Sequence, residues 1–206
     1  MPQEEPMINL KLHRKPNTIR DHIAFCFVRL LRFLADSFFA KRYGNRAIIL
    51  ETIAAVPGMV AGTLLHLRSL RRMKDDNGWI KTLLDEAENE RQHLMVFMQI
   101  VKPTYFERFI VFVAQLIFYS LFFIAYIFSP KTCHRIVGYF EEEAVISYSQ
   151  YLAEIDKGAV ENIQAPQIAI DYWKLPQDAR LREVIIAVRA DEANHRDVNH
   201  RFADKL

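Results

Sequence analysis

Two Glu-x-x-His motifs, Glu90-Arg91-Gln92-His93 and Glu192-Ala193-Asn194-His195, lie 102 residues apart in a chain of 206, each inside a stretch of helical periodicity. On a helix, positions i and i+3 share a face, so each motif aims a carboxylate and an imidazole in one direction. With 14 Glu and seven His, chance alone supplies about half a match, so one occurrence carries little. Two of them, interleaved with single Glu51 and Glu141 on four separate helices, constrain the fold to a four-helix bundle gathering six donor groups in its core.

The rest of the chain agrees with an all-α, ferritin-like bundle carrying extra helices. Only six Gly are present, and 15 Phe are spread through long apolar-periodic stretches, which argues against all-β and dinucleotide-binding folds. Helices are predicted at residues 21–39, 45–66, 79–100, 109–128, 132–155 and 177–203, with Pro57 expected to kink the second and residues 157–176 read as a linker. Residues 1–20 form an N-terminal arm and 21–206 one helical domain. The 27 Lys plus Arg against 25 Asp plus Glu give a net charge of +2, which leaves no footprint for nucleic acid. Cys26 and Cys133 stand alone, without C-x-x-C spacing, and are expected to be buried, reduced thiols.

Four carboxylates and two imidazoles without sulfur make an oxygen-rich site that suits a redox-active metal pair and argues against structural zinc, although ligand type does not separate iron from manganese. Tyr148, seven residues after Glu141, returns to the same helix stripe. Glu142 and Glu143 step about 100° and 200° away from it. Glu143 and Ser147 form a second stripe, matched by Arg46 and Leu50 on the Glu51 helix, and a flat ring head could bind between them. A plain Arg46–Glu143 ion pair is the alternative. Asn89 and Asp191, each preceding a motif, and His134 are candidates to orient the ligands by hydrogen bonds.

Residues 109–128 hold no charge, and length alone would make them a transmembrane span. Crossing between Glu90 and Glu141 would separate the ligands, and Lys102, Arg108, Lys131 and Arg135 put basic residues at both ends. The run is therefore read as part core and part membrane-immersed, in a monotopic protein. The first residues lack the features of a secretory signal or transit peptide.

Leu50-Glu51-Thr52-Ile53-Ala54-Ala55-Val56-Pro57-Gly58-Met59-Val60, Asn89-Glu90-Arg91-Gln92-His93-Leu94-Met95, Glu141-Glu142-Glu143-Ala144 and Arg189-Ala190-Asp191-Glu192-Ala193-Asn194-His195-Arg196 resemble, in order, the signatures of the alternative oxidases. The resemblance implies a cyanide-insensitive, interfacial membrane oxidase that passes electrons from ubiquinol to O2, making water at a non-haem di-iron centre without pumping protons. It implies two iron ions on Glu51, Glu90, His93, Glu141, Glu192 and His195, and a redox-active Tyr148. It also implies a quinol pocket lined by Arg46, Leu50, Glu143, Ala144 and Ser147, the last standing where Thr is expected. A homodimer in contact with membrane lipid follows from it as well. The compact chain, with no N-terminal regulatory cysteine, resembles a bacterial member, which places it on the cytoplasmic face of the inner membrane. Two other readings share parts of the pattern: a membrane di-iron hydroxylase acting on a quinone precursor, and an iron-storage bundle.

Overall fold

Apolar residues at helical spacing, bounded by Pro103, Pro130 and the Asn77-Gly78 turn, set the helices that carry the motifs. The computed structural model describes residues 9–39 and 42–206. Among them are α1 (Ile19–Phe39), α2 (Tyr43–Arg72), α3 (Trp79–Ile100), α4 (Tyr105–Phe128), α5 (Pro130–Asp156), α6 (Gln167–Trp173) and α7 (Leu181–Lys205). The described residues form no strand beyond an isolated bridge between Gln164 and Arg180.

The bundle is built of two antiparallel pairs, α2 with α3 and α5 with α7. Met73, Asn77 and Gly78 all take positive φ in the α2–α3 connection, the conformation in which a helix end is commonly capped. Within the first pair the backbones approach so closely at Gly58 that an added Cβ would sit 2.4 Å from the Leu83 carbonyl oxygen. In the second, the same addition at Gly138 would meet the His200 ring at 2.5 Å.

Two apolar clusters fill the bundle. One gathers Val96, Phe97, Tyr148, Leu152, Val184 and Val188, and the other Val56, Val60, Leu83, Val137, Val198 and Phe202. On all four helices the six predicted ligands fall in sequence between these clusters, so polar groups occupy a layer sealed by hydrocarbon on both sides.

Helices α1 and α4 flank this core. α1 lies on α5 through Ala24 and Val28, one apolar stripe, which turns Cys26 outward. The expectation of two buried thiols therefore holds for Cys133 and fails for Cys26. α4 begins with a Thr104–Glu107 capping box, and Gln115 Nε2 donates to the Thr52 carbonyl at 3.0 Å. That bond ties α4 to α2 within the turn where Pro57 withholds its own donor, and α2 runs on to Arg72 as one helix.

Both α2 and α4 are long and apolar enough to cross a membrane. Over half of the apolar window of α2 is buried, against 11% for α4, in which only Phe122 and Tyr126 are fully covered. The part of the 109–128 run that joins the core is those two side chains, with Phe118 and Phe123 packed partly buried against the same cluster. Residues 157–176, read as linker, contain α6, which supplies a residue to the site.

Candidate metal centre

Each of the four core helices brings its predicted carboxylate inward because buried apolar residues share its face, Ile48 with Glu51, Ala87 with Glu90, Val137 and Val145 with Glu141 and Val188 with Glu192. Glu51, Glu90, His93 and Glu192 offer ligand atoms that all lie within 4.8 Å of one another, as do Glu90, Glu141, Glu192 and His195. All six residues are at least 95% buried. Glu90 and Glu192 belong to both groups, so the layer has two poles, each ending in one imidazole, with two shared carboxylates between them.

The atoms converge with few bonds among themselves: His93 Nδ1 lies at hydrogen-bonding distance, 3.3 Å, from Glu51 Oε2. His195 Nδ1 is 2.7 Å from Glu90 Oε1, yet it is out of hydrogen-bonding alignment. Both of these atoms, together with Glu90 Oε2 and Glu192 Oε2, are buried without a hydrogen-bond partner. Buried polar atoms aimed at a common point and unsatisfied by protein are what a bound cation would satisfy.

The electrostatics agree. Burial pushes the Glu51 and Glu141 carboxyls well above their usual range, and repulsion from Glu192 and Glu90 adds to it. Burial opposes charge on His93 and His195, but the carboxylates around them outweigh it and raise both imidazoles. Glu90 is held below the ordinary range, against its burial, by His195 and His93 beside it. Two divalent cations would balance four carboxylates charge for charge and displace these protons. The donor set fits such a pair.

Partners beyond the ligands differ between the poles. Asp191 Oδ2 accepts from His93 Nε2 at 3.1 Å, Asn89 Nδ2 at 3.1 Å and Trp173 Nε1 at 2.8 Å. Asp191 thus bonds His93 directly, and Asn89 reaches it only through Asp191. Trp173, from α6, was not anticipated, because nothing in a segment read as linker marks it as facing His93. His134 does not join this network. It donates from Nδ1 to Asn199 Oδ1 at 2.9 Å and accepts from Tyr126 at 3.0 Å. Asn199 in turn donates to the Glu86 carboxylate and to the His195 carbonyl. Glu86, pushed up to about 7 by burial, was also missed. The signal was available: Glu86 lies four residues before Glu90 and Asn199 four after His195, on the ligand stripes.

Beside the cluster lies a cavity of about 490 Å³, walled mainly by apolar side chains of α1, α2, α4 and α5. Arg46, Leu50, Glu143, Ala144 and Ser147 all line it, and so do Tyr148, Glu51, Glu141 and Glu192. The two stripes read from the sequence as separate thus meet in one cavity reaching the carboxylates. Tyr148 donates its hydroxyl hydrogen to Glu51, and burial followed by the Glu51 charge keeps the phenol protonated, well above 10. Arg46 and Glu143 do not pair with each other. Arg46 pairs with Asp36, while Glu143 takes Arg29 at 2.9 Å and Arg32 at 3.2 Å, because α1, packed over α5, interposes its own charges. Arg46 Nε is buried without a partner.

A sequence model of the family described as Alternative oxidase matches residues 3–204. A protein named ubiquinol oxidase 2, mitochondrial, from Glycine max is 57% identical over 197 residues, which is 96% of this chain and 59% of that protein. One named ubiquinol oxidase, mitochondrial, from Batrachochytrium dendrobatidis is 57% identical over 203 residues, 98% of this chain and 64% of its own length. The Arabidopsis thaliana protein named ubiquinol oxidase 1a, mitochondrial, is 57% identical, covering 96% of this chain and 56% of itself. This chain thus spans about three fifths of the length of these relatives.

Proposed function

The chain belongs to the alternative oxidase family, and on that premise we propose that it is a ubiquinol:oxygen oxidoreductase, carrying out the cyanide-insensitive reaction of two quinols with one O2 to give two quinones and two waters, without pumping protons. The observation that carries this reading is the opening of one apolar cavity onto the two-pole carboxylate and imidazole cluster, which puts a greasy two-electron donor beside a metal-binding layer.

Two irons are the metals of this reading, held by Glu51, Glu90, His93, Glu141, Glu192 and His195, and they supply the electron transfer to O2. The chain does the rest. The unpartnered Arg46 Nε is a donor for a quinol ring oxygen, the Ser147 hydroxyl lies on the opposite wall, and Leu50 and Ala144 let the flat ring come close. Glu143, held by Arg29 and Arg32, offers the cavity a carboxylate that can accept a hydrogen bond from a quinol hydroxyl. In this reading Tyr148, hydrogen-bonded to Glu51 beside the ligand layer, is the residue that would supply a proton and an electron to the reaction. The hydrocarbon above and below the ligand layer keeps bulk water from partly reduced oxygen.

Exposed apolar residues fall into two groups. Ile23, Phe27, Leu30 and Phe33 of α1 and the long exposed face of α4 are the surface we assign to membrane lipid, in a monotopic arrangement. Met59, Leu67, Leu70 and Leu84 on α2 and α3 are the surface for a second copy in a homodimer. The relatives named above are mitochondrial; for a bacterial chain the seat is the cytoplasmic face of the inner membrane.

The test is ubiquinol-driven oxygen uptake in cyanide-treated membranes carrying this chain or its Glu192→Ala variant. Cyanide-resistant uptake that disappears in the variant is expected. No uptake from iron-replete, membrane-bound protein overturns the oxidase reading.

A further inference from the structure

Residues 9–14 of the N-terminal arm lie across the outer groove between α5 and α7, and each of their two deepest anchor points is the residue next to a proposed metal ligand. Glu142 follows Glu141, and Arg196 follows His195. The Glu142 carboxylate, 4% exposed, accepts from His13 Nδ1, from the Arg14 backbone N–H at 2.9 Å and from His200 Nε2 of α7 at 2.9 Å. The Arg196 guanidinium, wholly buried, donates to the carbonyls of Asn9 at 2.9 Å and Leu12 at 3.2 Å, and to Asp197. Arg14 then closes the strap onto Asp204 with two parallel bonds of 2.6 and 2.7 Å. Beneath it, rings meet in sequence from His13 through Phe25 and Tyr139 to His200, the first pair tilted and the other two edge to face.

Adjacent helix residues differ by about 100°, so gripping position i+1 from outside fixes the rotation that aims position i inward. Arg14 and His13 supply two of the three donors on Glu142, and main-chain carbonyls of the arm are two of the three acceptors of Arg196. Without them a buried carboxylate and a buried guanidinium lose most of their partners. We propose that the arm, residues 9–14, is a clamp that sets the rotation of α5 and α7 and so positions Glu141 and His195. Its consequence for metal holding rests on the ligand assignment above.

The clamp is tested with His13→Ala combined with Arg14→Ala, which removes the His13 ring donor to Glu142 and the Arg14 fork that fastens the arm to Asp204, and leaves α5 and α7 untouched. Arg182→Ala is the control, because it breaks the 2.8 Å Arg182–Asp156 bridge between the same two helices at their far end. In metal-free full-length protein, amide exchange at residues 141–143 and 195–196 is expected to rise about tenfold in the double variant and to stay at the wild-type rate in the control. After iron loading, release to a chelator accelerates in the same variant, and His13→Gln with Arg14→Lys, which keep donors in place, restores slow release. Unchanged exchange in the double variant overturns the clamp, and so does an equal rise in Arg182→Ala, which would mark a general weakening of the α5–α7 contact. A wild type that holds no iron removes the ligand assignment, while the exchange comparison still decides the clamp.

Discussion

Asp191 Oδ2 takes three donors at once, and one of them is the outer nitrogen of His93. Burial opposes its charge, but His93, Trp173 and Asn89 hold the carboxyl below its usual range, so it stays ionised and fixes both the tautomer and the ring plane. Asp191→Ala is expected to weaken metal binding about 10–100-fold. Titration of the purified variant with ferrous iron or cobalt checks this, with helix content by circular dichroism as the folding control. His134 has a different use. It is buried neutral between Asn199 and Tyr126, and burial lowers it from 6.5 to about 4. Between those values the unfolded chain binds a proton that the folded one refuses. Stability from this group is therefore whole above pH 6.5 and declines as pH falls toward 4, by about 3 kcal/mol in all. Urea midpoints at pH 7 and pH 5 should show the decline, and His134→Gln should lack this part of the slope.

At the scale of elements, α2 and α3 depend on contact that only glycine permits. Alanine ordinarily favours a helix over glycine by about 1 kcal/mol. At Gly58, however, the added Cβ meets backbone, the Leu83 carbonyl at 2.4 Å, which cannot swing aside as a side chain would. Overpacking of that kind costs about 1–3 kcal/mol, so Gly58→Ala is expected to be net destabilising by about 1–2 kcal/mol despite the propensity gain. A lowered denaturation midpoint with an unchanged m-value would show it; a raised midpoint would mean that the helices separate freely. Pro57, expected to kink α2, sits inside one continuous helix, which Gln115 ties to α4 at Thr52. The donor missing at Pro57 leaves the Ile53 carbonyl without its helical partner, and the tie from Gln115 to the neighbouring Thr52 carbonyl is one that sequence proximity cannot reveal.

For the molecule as a whole, the decisive feature is surface. Phe112 is 63% and Leu116 60% exposed on a helix with no charge over twenty residues. Side chains that contribute so little to the core can be changed without touching it. Phe112→Glu with Leu116→Glu is expected to leave the thermal midpoint nearly unchanged while shifting the chain from vesicle-bound to free in a flotation assay, since several kcal/mol of apolar transfer are replaced by charge. Equal flotation would relocate the lipid contact to another face.

The sequence alone determined the four-helix core and its six inward-facing donors, because a 3.6-residue period and an i, i+3 spacing are local properties written into consecutive residues. It also marked Tyr148 by the same periodicity, and Asn89 and Asp191 by their place directly before the two motifs. Only the tertiary structure decided what lies across from what. The packing of α1 over α5 sends Arg46 to Asp36 and Glu143 to Arg29 and Arg32, and turns Cys26 to the surface. The folding of a supposed linker into α6 brings Trp173 to Asp191, and the arm reaches Glu142 and Arg196 from more than a hundred residues away. Such pairings depend on distances between segments remote in the chain, and no local period encodes them.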